Sequence, residues 1–331
     1  MSKVAVFGGG SWGTAFATVL ADGGNDVSIW ARRPDLVAQI NRGRNEDYLP
    51  DHELPQSISA TTDPAEAVDG AQVVVLSVPS QSLRENLGAW GDVLSQGVVV
   101  SLMKGVELGT TKRMSEVISE VGGVPTERIA VVSGPNLARE IVQRQPAATV
   151  VACPDQGAAD LVAAACATSY FRPYTSTDLV GAEVGGAVKN VIALAVGMAE
   201  GMGLGDNTKS SIITRGLAEM TRLGVALGAD ARTFAGLAGV GDLIATCMSP
   251  LSRNHSFGVG LGRGMSVAEV QEHTRQTAEG VKSCSSILDL ARAHGVDVPI
   301  IEQVSACVHE GTSVPDVVHA LLSRARKPET D

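Results

Sequence analysis

Two lysines stand out by their surroundings. Lys189 lies in Gly185-Gly186-Ala187-Val188-Lys189-Asn190-Val191-Ile192, a run of small and apolar residues. A helix of that composition is mostly buried, and a buried ammonium is costly unless it is partnered. Such a lysine either does chemistry or snorkels to the surface along its own stem. Lys104 follows Leu102-Met103 at the end of an expected strand. In open α/β sheets the ligand crevice opens at the carboxyl ends of strands, so a lysine there is either a site residue or a solvated loop charge. Asp242 follows Gly239-Val240-Gly241 and begins an apolar helical run. It is a candidate partner for a buried cation, or simply a helix N-cap. Ser252-Arg253-Asn254 sets a hydroxyl, a guanidinium and an amide in a row, a set that suits a phosphate monoester.

A fifth segment carries a more specific signal. Gly8-Gly9-Gly10-Ser11-Trp12-Gly13 satisfies G-x-G-x-x-G, with an apolar strand before it and an Ala-rich helix after it. In that context each glycine has a task. Gly8 permits the tight turn, Gly10 lets the backbone approach a pyrophosphate, and Gly13 lets helix pack on strand. The helix N-terminus, from Ser11 and Trp12, offers free N–H groups and positive dipole to the phosphates. The second strand ends at Arg32-Arg33, where an NAD-selective site usually carries an acid for the ribose 2′-OH. Arginine pairs with a 2′-phosphate instead, so the expected cofactor is NADPH/NADP by preference, with NADH/NAD possible; the plain alternative is a solvated loop charge.

The elements that must position these residues fall into two halves. Short apolar, largely β-branched runs at 4–7, 27–30, 73–78, 98–102, 129–133 and 148–151 read as strands covered on both faces. Helical patterns lie between them, at 12–22, 34–41 and 111–120. This alternation predicts a Rossmann-like, doubly wound parallel sheet with right-handed crossovers. After about residue 178 strand-like runs fade. Helical periodicity takes over at 181–202, 209–227, 267–275, 280–293, 300–307 and 314–325. The fold class expected is α/β plus all-α: a dinucleotide-binding domain at 1–179 and an all-helical substrate domain at 180–331. Residues 326–331 read as a polar tail.

The chain has 331 residues, enough for two cores, and a net charge of −10 with no basic block. Nucleic acid, which needs clustered Lys and Arg, is excluded as a partner. The five cysteines have no C-x-x-C spacing and the histidines no H-x-x-x-H, so neither a disulfide scaffold nor a protein-bound metal is expected. The N-terminus leads straight into a strand rather than an export signal. No stretch of about 18 uninterrupted apolar residues predicts a membrane span. A soluble cytoplasmic oxidoreductase is the class left.

Further ordered matches run along nearly the whole chain: GGGSWGTA at 8–15, MKG at 103–105, SGPNLAREI at 133–141, GGAVKNVIA at 185–193, ITRGLAEM at 213–220, GLAGVGDLIATC at 236–247, SRN at 252–254, FGVGLGRG at 257–264 and AEG at 278–280. Together they resemble the NAD(P)-dependent glycerol-3-phosphate dehydrogenases, most of all the bacterial biosynthetic type. Two positions depart from that pattern: Met103, where the family often has Thr, and Asn136-Leu137, where Ser or Thr precedes an aromatic or His. The resemblance implies reduction of dihydroxyacetone phosphate to sn-glycerol 3-phosphate, the precursor of the phospholipid backbone. It implies Lys189 as general acid/base, Lys104 as the cation that lowers its pKa and polarises the substrate oxygen, and Asp242 as the group that orients both. It puts Asn190 and Thr246 at the substrate hydroxyls, Ser252, Arg253 and Asn254 at its phosphate, and Gly134, Asn136 and Ala138 along the substrate and nicotinamide. Thr277, Glu279, Lys104 and Arg253 would contact the cofactor. A homodimer is the family expectation.

Overall fold

The computed structural model describes residues 2–273, 278–325 and 328. Ten strands precede the helical half: β1 Lys3–Phe7, β2 Asp26–Trp30, β3 Arg44–Asn45, β4 Leu49–Glu53, β5 Ile58–Thr61, β6 Val73–Leu76, β7 Val98–Ser101, β8 Ile129–Ser133, β9 Ala147–Ala152 and β10 Phe171–Ser176. Eight of them form one sheet in the order β10-β9-β8-β7-β6-β1-β2-β5, and β3 and β4 make a separate ribbon. The strand sequence reverses between β1 and β6, so a crevice opens there at the carboxyl edge.

The β-branched runs behave as expected of strands covered on both faces. Val4 and Val6 of β1 pack with Phe16, Ile29 and Val75 on one side, while Ala5 and Phe7 pack with Leu83, Trp90 and Val117 on the other. The sheet is not wholly parallel. β8 and β9 run antiparallel, with Val132 opposite Val151. Their connection holds the five-residue helix Ala138–Val142. Such a helix rises about 7–8 Å, roughly half the length of a strand, so it cannot carry the chain back across the sheet. The chain turns round at the carboxyl edge instead. The strands that pattern alone did not predict are the peripheral ones. β5 at one edge reads ISAT, and β10 at the other reads FRPYTS with a proline and an arginine, the polar wear typical of edges.

Beyond β10 the described residues form helices and turns. Leu179–Gly201 is the axis of this half. Asp178 caps it, its Oδ1 accepting from Gly181 N at 2.9 Å. The helix is long and apolar enough to cross a membrane (mean hydropathy 1.6), but 94% of that stretch is buried in the protein. The helices Asp206–Ala226, Asp242–Met248, Arg253–Gly262 and Glu279–Ala293 pack around it. The glycine-rich run at 257–264 has a packing reason: a Cβ on Gly258 would lie 2.2 Å from the Leu194 carbonyl oxygen, and one on Gly262 2.1 Å from that of Met198. Those two helices touch backbone to backbone.

Candidate active site

Lys189 points inward from the axial helix, its side chain 8% exposed, and does not snorkel. The two glycines before it seat its neighbours. A Cβ at Gly185 would lie 2.2 Å from the Ala238 carbonyl oxygen, so the wide helical turn Leu237–Gly241 presses directly on the axis. A Cβ at Gly186 would crowd the Lys104 stem and the Ser133 hydroxyl. The turn runs straight into the helix Asp242–Met248, with Gly241 already helical at φ −63°. Asp242 is therefore inside a helical run and not an N-cap. Its carboxylate joins the two lysines: Oδ1 accepts from Lys189 Nζ, and Oδ2 from Lys104 Nζ at 2.6 Å. Lys189 Nζ also donates to Thr246 Oγ1 at 2.7 Å, and Lys104 Nζ to the Gly134 carbonyl at 3.3 Å.

The electrostatics follow from burial. Burial holds the Lys189 amine below the ordinary lysine value; Asp242 opposes this and the Lys104 charge adds to it. Burial raises the Asp242 carboxyl, but Lys104 and Lys189 outweigh it and keep the group ionised. An ammonium has three N–H donors. Asp242 and Thr246 take two of those of Lys189, and no acceptor for the third lies among the described residues.

A chain of amides flanks this cluster. Asn190 Nδ2 donates to the Lys104 carbonyl at 3.3 Å, Asn254 Nδ2 to Asn190 Oδ1 at 2.9 Å, and Gly280 N to Asn254 Oδ1 at 2.9 Å. Much of the hydrogen-bonding capacity expected to meet a substrate is thus spent on holding three segments together. Ser252 is an N-cap: its Oγ accepts from His255 N at 3.2 Å, opening the helix Arg253–Gly262. Arg253 is solvent-accessible, yet enough protein surrounds it that desolvation lowers its pKa against the pull of Glu279. Those are the properties of a cation lining a cleft. Glu279 in turn accepts from Ser80 Oγ at 2.5 Å. Asn136 donates from Nδ2 to Thr149 Oγ1 at 3.0 Å, leaving its buried Oδ1 without a donor among the described residues. Ala138 packs with Trp12 against Ala15, Leu49 and Val142. Thr277 falls outside the described residues.

The glycine turn fits a dinucleotide. Gly8 has φ +126°, and a Cβ there would lie 2.4 Å from the Ser77 carbonyl oxygen; one on Gly13 would lie 2.1 Å from that of Gly8. A Cβ on Gly10 would meet nothing within 4 Å. The open side of the turn faces away from protein, at the start of the helix Ser11–Asp22 with its unpaired N–H groups. Gly8, Ser80, Lys104 and Gly134 follow β1, β6, β7 and β8, four neighbouring strands, so they line one sheet edge. The two arginines differ. Arg33 is already paired with Asp35, at 2.7 Å, and with Asp47. Arg32 is exposed and makes no hydrogen bond or ion pair recorded among the described residues. Ser80 was missed by motif reasoning. The signal was there: it follows the run VVVL at a strand's carboxyl end, the same argument that singled out Lys104.

Comparison with known proteins is unambiguous at the family level. The model of the NAD-dependent glycerol-3-phosphate dehydrogenase N-terminus matches residues 3–159, and that of the C-terminus residues 178–319. The chain belongs to the NAD-dependent glycerol-3-phosphate dehydrogenase family. Glycerol-3-phosphate dehydrogenase (NAD(P)+) of Streptomyces coelicolor is 65% identical over 329 residues, 99% of this chain and 98% of that protein. Its counterpart in Thermobifida fusca is 60% identical over 332 residues, 99% of each. The crystal structure of glycerol-3-phosphate dehydrogenase from Coxiella burnetii matches with a TM-score of 0.92 at 34% identity, covering 98% of this chain and 99% of that one. D-mandelate dehydrogenase, with a TM-score of 0.60 at 15% identity, shares the fold alone.

Proposed function

We propose that this enzyme reduces dihydroxyacetone phosphate to sn-glycerol 3-phosphate reversibly, in the cytoplasm and as a homodimer, supplying the glycerophospholipid backbone. The observation that carries the reading is the Lys104–Asp242–Lys189 cluster on the sheet edge that also bears the glycine turn. In this reading residues 1–179 bind the dinucleotide and 180–331 supply the substrate side. When bound, the reduced nicotinamide supplies a hydride to the ketone carbon. Lys189 places its third N–H at the carbonyl oxygen and gives it a proton; the neutral amine takes the proton back in the reverse direction. Lys104 holds positive charge where that oxygen becomes negative. Asp242 fixes both ammonium groups.

Lys104, Lys189 and Arg253 outnumber Asp242 and Glu279, leaving a positive surplus that suits a phosphorylated ketone. Arg253 and Asn254, at a capped helix N-terminus, take the phosphate. Asn136 Oδ1 accepts a substrate hydroxyl. Ser11, Trp12, Ala138 and Glu279 border the cofactor. Both NADPH and NADH are used, with Arg32, the less encumbered arginine, favouring the 2′-phosphate.

The test is oxidation of NADPH, and separately of NADH, with dihydroxyacetone phosphate, using unphosphorylated dihydroxyacetone and ketopantoate as controls. Turnover confined to the phosphorylated ketone is expected. Turnover on ketopantoate instead would move the enzyme to the hydroxy-acid reductases, and tight NADPH binding without turnover on any ketone would make it a sensor.

A further inference from the structure

The ribbon β3–β4 stands outside the main sheet, and nothing in the glycine fingerprint refers to it. Yet one of its side chains reaches the glycine turn. Asn45, 1% exposed, donates from Nδ2 to the Gly9 carbonyl at 2.9 Å and to Thr14 Oγ1 at 2.8 Å. The acceptor side fixes the amide's orientation, because a carbonyl oxygen can only accept. Asn45 Oδ1 is left buried and without a donor among the described residues, so this amide is held for what it donates. Four residues on, Leu49 packs against Ala15 with Trp12 beside it, a second, apolar hold on the same helix.

The Gly9 carbonyl is a consequential place to hold. In a trans peptide the C=O of one residue and the N–H of the next point in opposite directions. Gly9 and Gly10 have almost no steric preference of their own to set that plane. Anchoring the Gly9 oxygen on Asn45 turns the Gly10 N–H the opposite way, and the space around Gly10 is open: a Cβ there would meet nothing within 4 Å. That N–H has no acceptor among the described residues. Thr14, the other anchor, makes the first hydrogen bond of the helix, its N donating to the Gly10 carbonyl at 2.9 Å. One amide therefore locks both ends of the segment that presents N–H groups to a pyrophosphate.

We infer that Asn45 is a positioning residue for the dinucleotide: it sets the Gly9–Gly10 peptide plane and so preorganises the glycine turn for the cofactor's diphosphate. The inference rests on the dinucleotide reading of the turn but not on the identity of the ketone.

Asn45→Asp keeps size and shape, removes the donor and sets a carboxylate against the Gly9 carbonyl. In the full-length enzyme it is expected to raise the KM for NADPH and NADH, and their directly measured Kd, by about tenfold or more. The kcat at saturating cofactor and the KM for dihydroxyacetone phosphate should stay within about twofold. Thr14→Val should show the same split more weakly, and Thr14→Ser should restore it. Arg44→Ala breaks an exposed pair with Glu53 on the same ribbon and should move none of these values. A folded Asn45→Asp enzyme with unchanged cofactor Kd would overturn the inference. So would equal losses in cofactor KM, ketone KM and kcat. If Asn45→Asp does not fold, the decision passes to Thr14→Val, whose cofactor Kd must rise for the inference to stand. Failure of the wild-type enzyme to bind either dinucleotide would instead refute the functional reading itself.

Discussion

Two buried charges sit six residues apart on the axial helix, and the protein treats them differently. Glu183, its side chain 6% exposed, is saturated. Its Oε1 accepts from Ser115 N at 2.8 Å, and its Oε2 from Ser115 Oγ and Arg113 Nη1, both at 2.6 Å. Burial raises its pKa against the charge of Arg113, and every donor around it is fixed. Lys189 is equally buried but keeps one N–H uncommitted and shares its carboxylate with a second cation. A saturated buried charge is an anchor: it ties the segment after Lys104 to the axis. An unsaturated one, with its pKa displaced, is where a proton can move. Burial alone does not separate the two; the count of satisfied donors and acceptors does.

The sharpest way to break this contrast is to truncate each charge. Lys189→Ala should lower turnover by roughly 10²–10⁴-fold, the usual worth of a positioned acid/base, with NADPH affinity little changed. Substantial residual turnover would move the proton donor elsewhere. Glu183→Ala should do the reverse. It leaves Arg113 half-stranded and should cost about 3–5 kcal/mol of stability, as breaking a buried pair does, while the folded fraction keeps near-normal KM values. Urea unfolding and steady-state kinetics read both. A Glu183→Ala enzyme of full stability and lost turnover would erase the distinction between anchor and reactive group.

A subtler change sharpens the account of Lys189. Lys104→Gln removes a positive charge but keeps a donor for Asp242. The Lys189 pKa should then rise, because the cation that depresses it is gone. In the proposed mechanism reduction uses the protonated amine, so its rate falls as pH climbs through that pKa. The alkaline limb of kcat/KM should therefore move to higher pH, alongside a loss of about 10²-fold from weaker stabilisation of the developing oxyanion. A limb displaced to lower pH would mean that Lys104 acts on Lys189 by something other than charge.

The fold and the candidate site were legible in the sequence to different depths. The central strands, the glycine turn and the axial helix could be read because burial on two faces leaves long apolar runs and turns leave glycines. Lys189 and Lys104 were legible as candidates, since a lysine inside an apolar helix and one at a strand end both break the local rule. The direction of β9 was not, because it depends on a connection too short to cross the sheet. Nor was the pairing of Arg33 with Asp35 and Asp47, which turns one of two apparent phosphate ligands into a largely neutralised charge. The roles of Asn45, Ser80 and Glu183 were hidden for a common reason. Their partners are Gly9, Glu279 and Ser115, distant or ordinary in sequence, and polar pairing leaves no periodic trace.

The smallest effect concerns a third buried charge, Glu219, which falls between the two extremes. It is 1% exposed, and it accepts from Ile300 N at 2.8 Å and Ile301 N at 3.3 Å at the start of the helix Pro299–Ser305. Burial pushes its pKa up to about 7, only partly offset by those two N–H groups and by Arg222, with Asp297 adding to the rise. Unlike Glu183 it has no cation hydrogen-bonded to it among the described residues. Its folded-state pKa exceeds the unfolded value of 4.5, so its contribution is fully present below that value. It is lost as pH climbs to about 7, because the folded protein must then give up a proton it holds more tightly than the unfolded chain does. Glu219→Gln keeps a carbonyl for the helix start and has nothing to titrate. The variant should gain on the order of 1–2 kcal/mol over the parent at pH 8 relative to pH 5, read by urea unfolding at both. Equal pH dependence in parent and variant would mean that the helix start alone satisfies the ionised carboxylate. Glu219 would then belong with Glu183 as a saturated anchor, and hydrogen bonds without a cation would suffice to make one.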